Sequence, residues 1–338
     1  MLKPWIFYSA WGVFALMVLL LLMGVAYERM GRHRAAREFP PPGKRVDIGG
    51  RRIQIDCRGR GSPTVVFESG LDIYGSLSWS AVHDEIAKTT RACAYSRAGI
   101  MWSDPSKAPQ DGKAIAEDLH ATLQKAGEQG PFVLVGHSLG GPYIMIYTKY
   151  FGAEVAGLVL VDASHPDQVQ RIEAVVKTPK STLMDYRDKL GVLLHWSGVV
   201  RAVAATYKKM PNQPESGIQA MKAYASTSFG AMLQEKHALT QTLTEAGTFR
   251  QLGQRPIVVL TAMKPLPEPM RENLQWTSAQ AALYQETWKQ MQKEQAGWSS
   301  QSRQHLIPDA GHYIQFDRPD AVIAAVQSVV TTVRAPHN

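Results

Sequence analysis

From residue 45 onward, short apolar runs alternate with longer segments of helical periodicity. The runs typical of strands are residues 45–48, 52–57, 64–68, 91–95, 132–135, 155–161, 256–261 and 302–307. Helical patterns cover residues 78–88, 112–125 and 143–150. Strands that alternate with helices in this way predict an α/β fold, with a mostly parallel eight-stranded sheet and helices on both faces.

Residues 165–253 interrupt the alternation. This stretch contains many Met, Tyr and Ala residues and has no clear strand pattern. We interpret it as a helical cap inserted after the sixth strand. The core domain then consists of residues 45–164 and 254–338.

A long uncharged segment, Trp5 to Tyr27, precedes the core. As a helix it would measure roughly 35 Å, enough to cross a bilayer. The alternative is a cleavable signal peptide, but no small-x-small cleavage site follows the segment. We therefore expect residues 1–27 to form a single-span membrane anchor and residues 28–44, which are basic and proline-rich, to form a linker.

The net charge of +8 does not indicate a nucleic-acid partner, because its distribution follows the apolar segment. The first 45 residues hold seven basic and two acidic side chains, and no basic stripe interleaved with aromatic residues occurs in the core. The excess of arginine after the span favours a cytoplasmic domain, although long domains translocate regardless of such charges. The side of the membrane stays open.

Cys57 and Cys93 are the two cysteines of the chain, and each lies on a predicted strand. If the two strands are neighbours, a disulfide could join them, which would indicate an oxidising compartment. Two buried free thiols would fit the pattern equally well.

The strongest chemical signal is Gly136-His-Ser-Leu-Gly140, which follows an apolar strand and precedes a helical segment. A serine on a tight strand-to-helix turn has a strained backbone, and glycines two residues on either side remove side chains that would clash. Such a turn is a nucleophile elbow, with Ser138 as the candidate nucleophile. The N–H of Leu139, at the start of the following helix, would face a developing oxyanion.

Several ordered motifs resemble those of the α/β-hydrolase superfamily, and more narrowly of bacterial α/β hydrolases with an N-terminal hydrophobic segment. The motifs are Glu68-Ser-Gly-Leu71, Cys93-Ala-Tyr-Ser-Arg-Ala-Gly99, Gly136-His-Ser-Leu-Gly-Gly141, Gly157-Leu-Val-Leu-Val-Asp-Ala-Ser-His-Pro-Asp167 and Gly311-His312. The resemblance spans roughly residues 46–333. It implies an α/β-hydrolase fold and an esterase, lipase or related acyl-transfer activity.

The resemblance also implies a catalytic triad. His312 follows the last strand, where the family carries its catalytic histidine, and the order Ser, acid, His is kept. The sequence leaves open which residue supplies the acid of the triad. Many relatives carry an Asp after the seventh strand, but this chain has none there. Asp162, at the end of the sixth strand, is the preferred candidate, Glu268 is the alternative, and Asp167 is a third.

By the same resemblance, the backbone N–H groups of Leu71 and Leu139 form the oxyanion hole. Ser69-Gly70 replaces the usual His-Gly pair, and Ser96-Arg97 replaces the usual Asp-Arg, a change expected to alter packing behind the site rather than chemistry. We expect His137 to pack under the elbow and His165 to shape the cap entrance.

The sequence contains no His-x-x-x-His, CxxC or phosphate-loop pattern, so we expect neither a metal nor a cofactor. The leading hypothesis is a membrane-anchored serine hydrolase acting on a small-molecule ester or related acyl substrate. The alternatives are a non-catalytic, membrane-tethered binding module and a cofactor-free perhydrolase or transacylase that uses the same triad. Oligomeric state is not indicated.

Overall fold

A computed structural model describes residues 4–176, 188, 190–191 and 193–335 of the chain. The eight strands are β1 Lys44–Asp47, β2 Arg52–Arg58, β3 Thr64–Glu68, β4 Ala92–Ser96, β5 Phe132–His137, β6 Val155–Val161, β7 Ile257–Ala262 and β8 Ser302–Ile307. They form one sheet in the order β1-β2-β4-β3-β5-β6-β7-β8. The first two pairs in this order, β1–β2 and β2–β4, are antiparallel, and all later pairs are parallel. The predicted α/β-hydrolase fold is therefore confirmed.

Helices cover both faces of the sheet. Their bounds are α1 Pro4–Glu38, α2 His83–Ala87, α3 Gly112–Ala126, α4 Gly140–Phe151, α5 Gln168–Val175, α6 Val199–Ala205, α7 Glu215–His237, α8 Leu239–Gly247, α9 Glu268–Asn273, α10 Ser278–Ala296, α11 Ile314–Asp317 and α12 Pro319–Arg334. Short 3₁₀ turns occupy Gly75–Trp79, Gly152–Glu154 and His195–Ser197.

Successive residues of the central strands point to opposite layers of the core. On β5, Leu134 joins the apolar cluster that includes α3 and α4, whereas Val133 and Val135 join the cluster that includes α12. The central strands β3 and β5 are buried along their full length. Their continuous apolar runs follow from this two-sided burial, as expected of parallel strands.

One predicted helix differs from the structure. Residues 78–88 form the end of a 3₁₀ turn and the short helix α2, separated by Ser80–Val82. The apolar side chains that produced the helical pattern, Trp79 and Ile86, are both fully buried, and Trp79 stacks on Phe67 with ring centroids 4.9 Å apart. Packing against β3 accounts for the spacing without a continuous helix.

The region expected to be a cap holds α5, α6, α7 and α8, all between β6 and β7. Residues 177–187, 189 and 192 of that prediction lie outside the described residues. Every regular element described between β6 and β7 is helical, as the fold prediction requires.

Helix α1 extends beyond the predicted span. It continues through residues expected to be a linker and ends at Glu38, so only residues 39–43 connect it to β1. Ion pairs of i,i+4 spacing, Arg32–Glu28 and Arg34–Glu38, support the extra turns, and three prolines follow Phe39, the residue after the helix. The helix is long and apolar enough to cross a membrane, judged by length and composition: its most apolar stretch has a mean hydropathy of 2.0 and is 6% buried.

The two cysteines meet across neighbouring strands. Cys57 on β2 lies opposite Cys93 on β4, with Cα atoms 4.0 Å apart, and their sulfur atoms form a disulfide. This resolves the alternative left open by the sequence in favour of the bonded form.

Candidate active site

Ser138 occupies the sharp turn between β5 and α4. Its φ is +52°, a left-handed conformation that is costly for a residue with a side chain. A Cβ at Gly136 would lie 2.5 Å from the carbonyl oxygen of Gly140, and a Cβ at Gly140 would lie 2.4 Å from the carbonyl oxygen of Glu68. Both glycines are therefore sterically required. The strain holds the Ser138 side chain at the carboxyl edge of the sheet.

Two backbone N–H groups flank this serine. Leu139 caps the N-terminus of α4, and Leu71 follows the end of β3. In the described part of the chain, neither N–H donates to a protein acceptor. Gly70 brings the second loop close, because a Cβ there would lie 2.9 Å from the Cβ of Ser138. The arrangement leaves two donors free beside the serine, as an anion-binding pair requires.

His312 and Asp162 form a hydrogen-bonded pair at the same edge. The Nδ1–H of His312 donates to Oδ2 of Asp162 over 2.6 Å. The other carboxylate oxygen, Oδ1, accepts from the backbone N–H of Ala262 at 3.0 Å and from Nε1 of Trp288 at 2.8 Å. Asp162 is buried, while the side chain of His312 is 45% exposed. The carboxylate is thus fixed by two donors and orients a histidine that is open to the cavity.

The other candidate acids lie elsewhere. Glu268 is exposed at the first position of α9. Asp167 accepts two hydrogen bonds from the guanidinium of Arg250, at 2.8 and 2.6 Å. Of the three carboxylates considered from the sequence, the structure brings Asp162 to His312, leaves Glu268 exposed and pairs Asp167 with Arg250.

His137 lies beneath the turn. It is buried, and its Nε2 lies 2.8 Å from the backbone carbonyl oxygen of His312, so that an Nε2–H donates to that carbonyl. Burial lowers the pKa of His137 well below its ordinary value, and the nearby His312 lowers it further. His137 is therefore a neutral support for the loop that carries His312.

His165 does not line the cap entrance, contrary to the sequence expectation. Its side chain is fully buried, and its ring packs against Trp298 with centroids 5.5 Å apart. Burial lowers its pKa to about 4, which keeps the ring neutral. The position of His165 in the loop after β6 gave no sign that the distant Trp298 would pack against this side chain.

Arg97 organises the loop that carries Leu71. Its Nη1 donates to the carbonyl oxygen of Ser69 at 2.8 Å and to Glu68 at 2.6 Å, and its Nη2 donates to the carbonyl oxygen of Gly70 at 2.7 Å. Its Nε and Nη2 each donate to Glu235 on α7 at 2.8 Å. One buried guanidinium therefore ties the cap to the loop beside Ser138.

Burial shifts the pKa values of the carboxyl groups around Arg97. Burial raises the pKa of Glu68 to about 7 against the attraction of Arg97, and it raises the pKa of Glu235 as well. Tyr95 donates a short hydrogen bond to Glu68. Removing the guanidinium would leave these carboxyl groups buried without a cationic partner.

Ser138, Asp162 and His312 all border one cavity of about 630 Å³. Its lining is mainly apolar and comes from the cap, from the segment after β7 and from α10: Ile172, Met210, Leu266, Met270, Tyr284 and Trp288. A largely apolar cavity with a few convergent polar groups is typical of a small-molecule site.

Potential metal ligands meet at one place among the described residues, Cys57, Cys93 and Glu128. Both sulfur atoms are already joined to each other. These residues therefore do not suit a metal ion.

Sequence reasoning missed Trp288 and Glu235. Trp288 is 126 residues from the carboxylate it contacts, and Glu235 is 138 residues from Arg97. Neither lies in a recognisable motif. The sequence did mark Arg97, because this residue lies in a motif near the site. Its contacts with the loop carbonyls, however, could be identified only from the folded structure.

Residues 49–325 match the model of the Alpha/beta hydrolase family. The Uncharacterized protein YbdG of Bacillus subtilis is 25% identical over 158 residues, which are 46% of this chain and 49% of that protein. An Uncharacterized vacuolar membrane protein of Saccharomyces cerevisiae is 33% identical over 108 residues, 31% of this chain and 17% of that protein. The chain thus spans about half or less of the length of these curated relatives.

Among solved structures, a thermophilic esterase from Thermogutta terrifontis has a similar fold. The TM-score is 0.62, and the match covers 87% of this chain and 100% of the esterase at 19% sequence identity. At this identity the likeness concerns the fold alone.

Proposed function

Because the chain belongs to the alpha/beta hydrolase family, we propose that it is a serine hydrolase that cleaves an ester or related acyl bond with Ser138, His312 and Asp162. The observation that carries the proposal is the His312–Asp162 hydrogen bond of 2.6 Å beside the strained Ser138 turn, with all three residues on one cavity.

This geometry supports the following proposed roles. With Nδ1–H bonded to Asp162, the Nε2 of neutral His312 carries the lone pair that removes the proton of Ser138. The Ser138 oxygen attacks the substrate carbonyl, and the N–H groups of Leu71 and Leu139 stabilise the oxyanion. His312 then protonates the leaving alcohol, and the same residues activate a water that releases the acid from the acyl-enzyme.

The cavity lining supports a substrate with an apolar portion. Ile172 and Met210 from the cap and Leu266 and Met270 from the segment after β7 face the space next to Ser138. Burying apolar substrate surface there gains about 25 cal/mol per Å². We propose esters with an aliphatic or aromatic acyl group as the substrate class.

A fluorophosphonate probe tests the proposed nucleophile. The expected result is a covalent adduct on Ser138, located by peptide mass spectrometry, that is lost in Ser138→Ala. Ser164→Ala is the matched control, since Ser164 borders the same cavity, and it should label like the wild type. If the folded wild-type protein gave no adduct, the proposal would fail and the binding-module alternative would be favoured.

We further propose that α1 anchors the protein in a membrane as a single span, with the core on the oxidising side. The support is the exposed apolar helix, the membrane location named for a yeast relative, and the Cys57–Cys93 disulfide. The arginines after the span favour the opposite side, but a large domain translocates regardless of such charges.

The disulfide tests this orientation. Protein from membranes prepared with N-ethylmaleimide should gain mass from a maleimide–polyethylene glycol reagent only after reduction, because bonded cysteines are protected from the first alkylation. Cys93→Ser is the control, since its remaining Cys57 should be alkylated at the first step. A wild-type protein alkylated without reduction would contradict an oxidising location.

A further inference from the structure

The position at which α1 meets the cap is fixed by close contacts at two glycines. A Cβ at Gly24 would lie 2.2 Å from the carbonyl oxygen of Ser197, and a Cβ at Gly31 would lie 2.5 Å from Nε of Arg201. Gly24, Gly31 and the buried Ala35 share one helical face with Glu28. Small residues on this face allow α1 to pack directly on the cap.

A buried ionic cluster holds the contact. Arg201 on α6 donates from Nε to Glu28 over 2.9 Å, and the hydroxyl of Ser226 on α7 donates to the same carboxylate over 2.6 Å. Arg32, one turn further along α1, donates to it as well. Burial of a paired charge at this point makes the docking of α1 specific, because a shifted helix would leave charges unpaired.

The docked part of α1 begins where its apolar exposed part ends. Residues 11–23 are exposed throughout, and burial starts at Gly24. From Pro4 to Met23 the helix is about 30 Å long at about 1.5 Å per residue, which matches the hydrocarbon thickness of a bilayer. If α1 spans the membrane, the bilayer surface therefore lies beside Ser197 and Gly198.

The cap exposes large apolar side chains in the segment that contains this contact. Leu190, Leu193, Trp196 and Val199 are 53%, 65%, 42% and 48% exposed. Trp196 and Val199 flank the two residues that touch α1 at Gly24. We call these four residues the cap patch.

We propose that the cap patch inserts into the lipid interface beside α1, so that the protein contacts the bilayer through its cap as well as its span. The proposal rests on the membrane anchoring proposed above. Tryptophan and leucine suit the boundary between headgroups and acyl chains. Arg29, exposed just past the contact at Gly24, is placed to meet lipid phosphates.

Lipid is a better occupant of the cap patch than a second protein. The cap patch lies beside the point at which the exposed apolar part of α1 ends and α1 begins to contact the domain. A membrane held there by the span covers the patch without any further partner.

Fluorescence quenching by lipid in the full-length protein tests the proposal. Single cysteines are introduced as Leu16→Cys in the span, Leu193→Cys in the cap patch and Leu283→Cys on α10, where the leucine is 47% exposed. Each is labelled with the fluorophore NBD without reductant, so that the native disulfide is retained, and reconstituted into vesicles of phosphatidylcholine and phosphatidylglycerol with or without nitroxide-labelled phosphatidylcholine.

The expected result is quenching of about twofold or more at positions 16 and 193 and little at 283, as for an interfacial segment. Quenching at 16 without quenching at 193 would overturn the cap-patch proposal and leave the anchor intact. Quenching at neither site would refute the anchor, and the proposal with it. A blue-shifted but unquenched label at 193 would indicate contact with a second copy and would also overturn the proposal.

Discussion

Asp162→Asn is expected to lower kcat/KM by about 10⁴-fold, as loss of the histidine tautomer does in a serine triad. The structure gives the reason. Oδ1 of Asp162 accepts from two N–H donors, Ala262 and Trp288. In the variant the amide oxygen must occupy that position, which turns the NH₂ group toward Nδ1 of His312. The ring then carries its proton on Nε2 and cannot accept one from Ser138.

Steady-state kinetics on a panel of para-nitrophenyl esters measures the effect, with thermal unfolding to show that the variant folds. Glu268→Gln is the matched control, because Glu268 is exposed on α9 and is expected to leave kcat/KM unchanged. Strong loss in Glu268→Gln together with an active Asp162→Asn would show that the acid has been assigned to the wrong residue.

Arg97→Met is expected to lower the free energy of unfolding by about 3–5 kcal/mol, the range for breaking a buried ion pair. The guanidinium is 2% exposed and its partners Glu68 and Glu235 are equally buried. Methionine fills much of the volume but donates no hydrogen bond. The variant leaves two carboxyl groups and the carbonyl oxygens of Ser69 and Gly70 without their donor.

Urea unfolding measures this loss, and its pH dependence identifies the cause. Without Arg97, the folded-state pKa of Glu68, already about 7, is raised further above its unfolded value. A carboxyl group with a raised pKa favours the folded state at low pH, so the loss should be smaller at about pH 5 than at about pH 8.

Two further variants separate the buried charge from general packing. Arg97→Met combined with Glu235→Gln should be less destabilised than Arg97→Met alone, because one unpaired carboxylate is gone. Arg318→Met should lower the free energy of unfolding far less than Arg97→Met does, because Arg318 and its partners Asp309 and Asp320 lie at the surface, where water screens the ion pairs. Equal losses for Arg97 and Arg318, or a loss independent of pH, would refute the explanation.

The positions of the strands along the chain and the place of the strained turn at Ser138 were readable from the sequence. Buried parallel strands have continuous apolar runs, and the observed β3, β6 and β8 have the predicted bounds. Gly136 carries local information too, because a Cβ there would clash with backbone atoms of Gly140 and Gly141, only a few residues away. Such features depend on neighbours in the chain, so a linear pattern records them.

The sequence by itself determined the α/β-hydrolase fold, the strained turn at Ser138 and the presence of an apolar segment before the core. Only the tertiary structure decided that Asp162, rather than Glu268, meets His312, that Trp288 holds the carboxylate, that Arg97 joins the cap to the loop carrying Leu71, and that Cys57 bonds Cys93. The physical reason is distance along the chain. Local sterics and periodic burial act on nearby residues, whereas hydrogen bonds and ion pairs between residues far apart in sequence exist only once the sheet and cap have brought them together.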